Sequence, residues 1–291
     1  MTGDCIAVDW GTTNRRAIRI SAEGNVVDRI DDDRGVLAVP SDAYPHEIAR
    51  LRAHLGDLPV VAAGMVGSTR GWHEVPYVPA PARLADIASG AAVVAPGVTI
   101  LPGVSLLDHE RADVMRGEEV QVLGAAAAGL ASADAQFCQP GTHNKWIALA
   151  DGAITEFATA MTGELFALLR GGGILAGMID GPVADGPAFR DGVRRGLGAV
   201  DLPVALFEVR ASVLLGRIAP ADAPARASGV LIGADVGARA DLAAREVKLL
   251  AGGTLAALYA AAIEVAGGQA AIIDDRAAFA AGIHAIRKLL P

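Results

Sequence analysis

Two short stretches, Gly11-Thr12-Thr13-Asn14-Arg15 and Gly141-Thr142-His143-Asn144-Lys145, decide how this chain is read. The first follows Asp9-Trp10 and separates apolar runs that predict strands over 5–9 and 15–21. The second separates predicted strands at 136–138 and 146–150. Gly141 lies 130 residues after Gly11, and the two stretches agree in kind as Gly-Thr-x-Asn followed by a basic residue. A repeat of that period is the size of a domain, so it predicts two similar domains and not a solenoid.

Working outward, a third strand is expected over 25–30, after the turn at Glu23-Gly24. A helix follows over 44–55, with Ile48, Leu51 and Leu55 on one face. A buried strand over 60–63 runs into Gly64-Met65-Val66-Gly67-Ser68. Another strand is expected over 98–101, and a helix over 116–129 that buries Val120, Leu123 and Ala127. After the second loop, Asp151-Gly152 turns the chain into a strand over 153–158. Helices are expected over 163–169, 189–197, 207–218 and 228–242. A strand over 247–250 meets Gly252-Gly253-Thr254, which opens a helix to 266, and a strand over 270–273 precedes a helix over 276–290. Strands alternating with helices after an opening hairpin predict an α/β class with mixed sheets.

Composition narrows the function. The 291 residues are 52% hydrophobic, which excludes disorder, and 4% aromatic with a net charge of −8, which argues against nucleic acid as a partner. Cys5 and Cys138 sit in apolar runs and read as reduced, buried thiols of a cytoplasmic protein. Asp4 and Asp9 interrupt any export signal. The uncharged stretch over 88–107 is broken by Gly90, Pro96, Gly97, Pro102 and Gly103. It reads as loop, strand and loop, and no membrane is expected as a partner.

Asp9 at a strand end offers a carboxylate to a hard cation, and the loop after it adds glycine, hydroxyls and N–H donors for phosphoryl oxygens. Lys145 is one of three lysines, with Lys248 and Lys288, so a cation at the second loop stands out. His143 either donates to a phosphate or completes the turn. Paired Gly252 and Gly253 at a helix N-terminus let a flat ring approach the backbone. Trp10, Trp72 and Trp146 each adjoin a candidate loop, where they serve as ligand walls or as core. Three other patterns fail. Gly171-Gly172-Gly173 follows a helix instead of a strand, no P-loop is present, and no His or Cys pair has zinc spacing.

Several ordered motifs resemble the 2-dehydro-3-deoxygalactonokinases. They are Asp9-Trp10-Gly11-Thr12-Thr13-Asn14, Gly64-Met65-Val66-Gly67-Ser68 with Gly71-Trp72, Pro76-Tyr77, Val114-Met115-Arg116-Gly117-Glu118-Glu119, Pro140-Gly141-Thr142-His143, Met161-Thr162-Gly163-Glu164, Phe207-Glu208-Val209-Arg210-Ala211-Ser212 and Leu231-Ile232-Gly233-Ala234. The resemblance implies an actin-like fold of two RNase-H-like domains with mixed sheets around a central cleft, over 1–116 and 117–291, the helix over 276–290 returning to the first. It implies an ATP- and Mg2+-dependent kinase of 2-dehydro-3-deoxy-D-galactonate, acting on the 6-hydroxyl in galactonate catabolism. A sibling kinase of another sugar or sugar acid and a non-kinase actin-like ATPase are the alternatives, and a homodimer is the candidate assembly. Gly11, Thr12, Thr13, Asn14 and Arg16 then form one phosphate motif, with Asp9 at the metal. Gly141, Thr142, His143 and Lys145 form the second, and Gly252, Gly253 and Thr254 the adenosine motif. The general base is Asp113, Glu118 or Glu119. Gly64, Met65, Gly67 and Ser68 face the sugar acid, with Trp72 as a wall and Arg116 or Arg70 for its carboxylate.

Overall fold

Alternation along the first strand sets the layout. In β1 (Cys5–Trp10), Ile6, Val8 and Trp10 enter one core, and Cys5, Ala7 and Asp9 take the opposite face. β2 (Arg15–Ile20) pairs antiparallel with β1 in a register that sets Arg16 opposite Asp9 and Arg15 opposite Trp10. β3 (Val26–Asp32) extends the sheet. α1 (Tyr44–Leu55) carries Pro45 in its first turn and stops at Gly56, and its Ile48, Leu51 and Leu55 pack on the Ile6-Val8-Trp10 face. β4 (Val60–Gly64) runs parallel to β1.

The chain continues through β5 (Val78–Pro79), α2 (Leu84–Ser89), β6 (Ala92–Ala95), β7 (Val98–Ile100), β8 (Val104–Leu107), β9 (Ala112–Met115) and α3 (Glu118–Ala127). Next come β10 (Ala135–Gln139), β11 (Asn144–Ala150), β12 (Ala153–Ala160), α4 (Thr162–Gly171), α5 (Pro187–Leu197), α6 (Leu202–Leu214) and α7 (Ala223–Gly237). β13 (Glu246–Leu250), α8 (Gly253–Val265), β14 (Gln269–Ile273) and α9 (Asp275–Arg287) complete it. This computed structural model describes residues 3–198, 201–239, 242 and 245–290.

One sheet has the order β3-β2-β1-β4-β7-β6 and another the order β12-β11-β10-β13-β14. Leaving β6 aside, the two share one plan: a hairpin's two strands, a central strand, then two strands parallel to it. This is the RNase-H-like arrangement, present twice, as the repeated loop requires.

The chain divides into two compact units. The first comprises Met1–Asp134, Ile147–Phe157 and Asp274–Pro291, and the second Ala135–Trp146 and Ala158–Ile273. The first unit therefore runs past residue 116. α3 belongs to it because Gly124 and Gly282 let α3 and α9 touch backbone to backbone, and a Cβ on Gly124 would lie 2.1 Å from the Ala278 carbonyl oxygen. In the second unit α5 and α7 meet in the same way through Gly192, Gly196, Gly229 and Gly233. Above them lies a core of Phe189, Val193, Ile232, Val236 and Leu258.

Residues 88–107, expected as loop, strand and loop, instead hold β6, β7 and β8. β5, β8 and β9 form a separate three-stranded sheet. α6 starts earlier than expected because Pro203 favours a first turn. α7 spans Ala223–Gly237 where a helix over 228–242 was expected. Residues 240 and 241 of that expectation lie outside the described residues. α3 starts at Glu118, not at 116, because Gly117 takes a φ of 111°.

Candidate active site

The first loop is tied down from one side. Trp10 Nε1 donates to the Arg34 carbonyl at 2.8 Å, and the Gly35 and Leu37 amides donate to the Thr13 and Thr12 carbonyls at 3.1 and 3.2 Å. Gly11 N–H closes the turn on the Asn14 carbonyl at 2.9 Å. The side chains of Thr12, Thr13 and Asn14 stay exposed, so the carbonyls fix the loop and the hydroxyls face outward. Arg15, the basic residue of this turn, is buried. It pairs with Asp32 at 2.6 Å and Glu47 at 2.8 Å and lies over the Trp10 ring, so it anchors the hairpin. Arg16 is half exposed and pairs with Asp275 at 2.6 Å, at the start of α9.

Asp9 lies on the face of β1 turned toward α9. Burial pushes its carboxyl up to about 6; Arg16 opposes the rise, while Glu118 and Asp275 add to it. Two glycines make the approach to it possible. Gly64 has a φ of 91° and Gly117 a φ of 111°, and a Cβ on Gly117 would sit 3.2 Å from Gly64 Cα and 3.9 Å from Asp9 Oδ1. No group of three or more His, Cys, Asp or Glu among the described residues is arranged to hold a metal ion. A cation here would rest on Asp9 with ligand oxygens and water, which suits magnesium.

The three base candidates separate. Asp113 lies on β9 opposite Leu106, in the small sheet, and accepts from the Val114 amide. β9 carries it, five residues before α3 begins. Glu119 is fully buried, accepts from Gly117 N–H at 2.7 and 2.9 Å, and is pushed up to about 8, mainly by burial and then by Glu118. It holds the Gly117 turn and is mostly protonated at neutral pH. Glu118 is part-exposed, accepts from Arg116 N–H at 3.0 Å, and is one of the charges that acts on Asp9.

In the substrate segment, Ser68 Oγ donates to the Met65 carbonyl at 2.7 Å and accepts from Arg70 N–H, so its hydroxyl stabilises the turn. Trp72 stacks on Tyr44 at 5.5 Å, and Tyr44 meets Trp10 at 5.2 Å. This tryptophan is a flank of the core more than a free wall. Arg70 is exposed, whereas Arg116 is buried with its guanidinium over the Tyr77 ring.

In the second unit, Gly163 N-terminal in α4 packs on the second loop, a Cβ there falling 2.5 Å from the Gly141 carbonyl oxygen. Glu164 N–H donates to the Thr142 carbonyl at 2.9 Å, and His143 Nε2 meets Glu164 Oε2 at 2.6 Å. Lys145 is a strand residue with its Nζ 2.7 Å from Thr159 Oγ1, not a solvated loop cation. Asp235 on α7 was not singled out from sequence. Its carboxylate accepts from Asn144 Nδ2 at 2.6 Å, Trp146 Nε1 at 2.9 Å, Tyr259 OH at 2.9 Å and Thr162 Oγ1 at 3.0 Å. One acid in the small-residue helix Leu231-Ile232-Gly233-Ala234-Asp235 was the available signal. At the β13–α8 turn, Gly253 has a φ of 64°, and a Cβ on Gly252 or Gly253 would meet nothing within 4 Å. The backbone there is open to a ligand.

Known proteins match the chain from end to end. The family described as 2-keto-3-deoxy-galactonokinase matches over residues 9–286. A Rhizobium meliloti (strain 1021) protein bearing the name 2-dehydro-3-deoxygalactonokinase is 39% identical, covering 98% of this chain and 96% of its own. The Escherichia coli (strain K12) 2-dehydro-3-deoxygalactonokinase is 34% identical over 98% of both chains. A crystal structure from Sinorhizobium meliloti given the same name superposes with a TM-score of 0.90 at 35% identity, covering 97% of this chain and 98% of the other. With its twice-built RNase-H-like plan and these end-to-end matches, the chain belongs to the 2-keto-3-deoxy-galactonokinase family.

Proposed function

We propose that this protein transfers the γ-phosphoryl group of ATP to the 6-hydroxyl of 2-dehydro-3-deoxy-D-galactonate, in cytosolic D-galactonate catabolism. The match over 98% of both chains to the Escherichia coli enzyme of that name carries the reading. Each unit supplies one phosphate loop, Gly11–Asn14 with Arg16 in the first and Gly141–His143 in the second. Lys145 contributes charge from behind the second loop. Gly252, Gly253 and Thr254 receive the adenosine.

Magnesium, when bound, neutralises charge on the phosphoryl oxygens, and Asp9 is the residue that holds it. Glu118 takes the proton of the 6-hydroxyl as that oxygen bonds to phosphorus and the bond to the ADP oxygen breaks. Glu119 keeps the Gly117 turn against Gly64, which sets the distance between Glu118 and Asp9. Ion-paired Arg16 is expected to exchange Asp275 for phosphate oxygens, a trade between two charge-assisted bonds.

The test is a coupled assay of ADP release with the galactonate-series acid, its gluconate-series epimer and a panel of neutral sugars. ADP release that requires the galactonate-series acid, with the phosphate placed on C6 by 31P NMR, is the expected result. ADP release without any acceptor, or with another sugar only, overturns it.

A further inference from the structure

Arg116 is 9% exposed and sits in a position that its surroundings do not satisfy. One N–H of Nη2 donates to the Val75 carbonyl at 2.7 Å, and the guanidinium lies 4.3 Å from the centre of the Tyr77 ring. Nε and Nη1 are buried and have no hydrogen-bond partner. The adjacent acids do not supply one: Glu118 accepts from the Arg116 backbone N–H and Glu119 from the Gly117 N–H. Buried donors without acceptors are costly, more so on a charged group, and a methionine or leucine would fill the same space without that penalty. An anion that arrives from outside the chain would satisfy both donors at once.

The distance to the phosphoryl site identifies which anion. Nη1 faces Gly67, where a Cβ would come within 2.8 Å of it, while Gly117 stands over Gly64 and Asp9. Gly64 and Gly67 are three residues apart around a 3-10 turn, which at about 2.0 Å per residue separates them by roughly 6 Å. Five carbon–carbon bonds, as between C1 and C6 of a hexonic acid, also span roughly 6 Å.

We propose that Arg116 binds the C1 carboxylate of the substrate and so measures its chain length, placing the far hydroxyl at Asp9 and Glu118. This rests on the functional reading above and adds to it the group that makes the enzyme select an acid over a sugar. Val75 and Tyr77 lie in the irregular segment before β5, and the acid reaches Nε and Nη1 only by displacing it.

The experiment compares the acid with its C1 carboxamide, in the full-length protein. Calorimetric binding without nucleotide is read first, then kcat/KM with ATP. Wild type is expected to prefer acid to amide by roughly 100-fold, the worth of a charge-assisted pair. Arg116→Gln brings that ratio close to 1, and Arg116→Lys restores part of it because charge returns without the fork. Gly67→Ala, which pushes a methyl at Nη1, lowers the ratio without removing the arginine, and covers the case that Arg116→Gln does not fold. A ratio in folded Arg116→Gln or in Gly67→Ala equal to that of wild type overturns the proposal, as does absent binding of the acid by wild type. If wild type binds the acid through Arg116 but transfers no phosphate, this inference stands and the kinase reading fails.

Discussion

Replacing Asp9 by Asn should stabilise the empty protein while abolishing turnover. The carboxyl is displaced from its ordinary 3.8 to about 6, with burial as the largest cause. Two pH units of such displacement correspond to about 3 kcal/mol of folding free energy lost at neutral pH. Well below pH 3.8 the group is protonated in the folded and unfolded chains alike, and there Asp and Asn should be equivalent. Between 3.8 and about 6 the unfolded chain ionises first, so wild type loses stability relative to the variant, and the full difference holds above about 6.

Thermal unfolding of both proteins, free of nucleotide and divalent cation, at pH 4, 5, 6 and 7.5 measures this. For a chain of this size about 3 kcal/mol moves the midpoint by on the order of 5–10 °C. Added magnesium and ATP should then raise the wild-type midpoint more than that of Asp9→Asn. A variant less stable than wild type at pH 7.5, or a gap that does not close toward pH 4, would show that Asp9 is not a carboxylate held at a cost for ligand binding.

Glu118→Gln should lower kcat by roughly 100- to 10,000-fold with KM little changed, whereas Asp113→Asn should stay near wild type; steady-state kinetics on the pair checks the choice of base. Asp235→Asn weakens bonds to four donors around the second loop and should raise KM for ATP by roughly tenfold while KM for the acid holds, with Trp146 fluorescence reporting earlier unfolding of the second unit. A Cβ on Gly252 would meet nothing within 4 Å, so in Gly252→Ala KM for ATP should rise while the melting midpoint shifts by less than about 1 °C.

The twin hairpins were legible because alternation and Gly-Thr turns are local properties. Ile6, Val8 and Trp10 announce β1 by themselves, and the match of Gly11 with Gly141 needs no third partner. The sheet of β5, β8 and β9 was not legible, since Val78–Pro79 is two residues long and becomes a strand only when Val104 lies beside it. Asp113 likewise sits on a strand that exists through pairing, with Leu106 opposite it. Arg15 and Lys145 look alike in sequence as loop cations, yet acids and hydroxyls far along the chain draw both into buried positions. Asp235 gathers donors from α4, α8 and β11, a convergence that no window of residues contains.

The membership of α9 in the first unit has a consequence for biosynthesis. Its Asp275 faces Arg16, and its Arg287 holds the carbonyls of Gly3, Ser21 and Ala22. About 115 residues separate Phe157 from Asp274, so at translation rates of about 5–20 residues per second the nascent first unit waits on the order of ten seconds for its closing helix. During that interval the Asp9 hairpin lacks the helix that covers it, and a chain stalled before residue 274 keeps that face of β1 open.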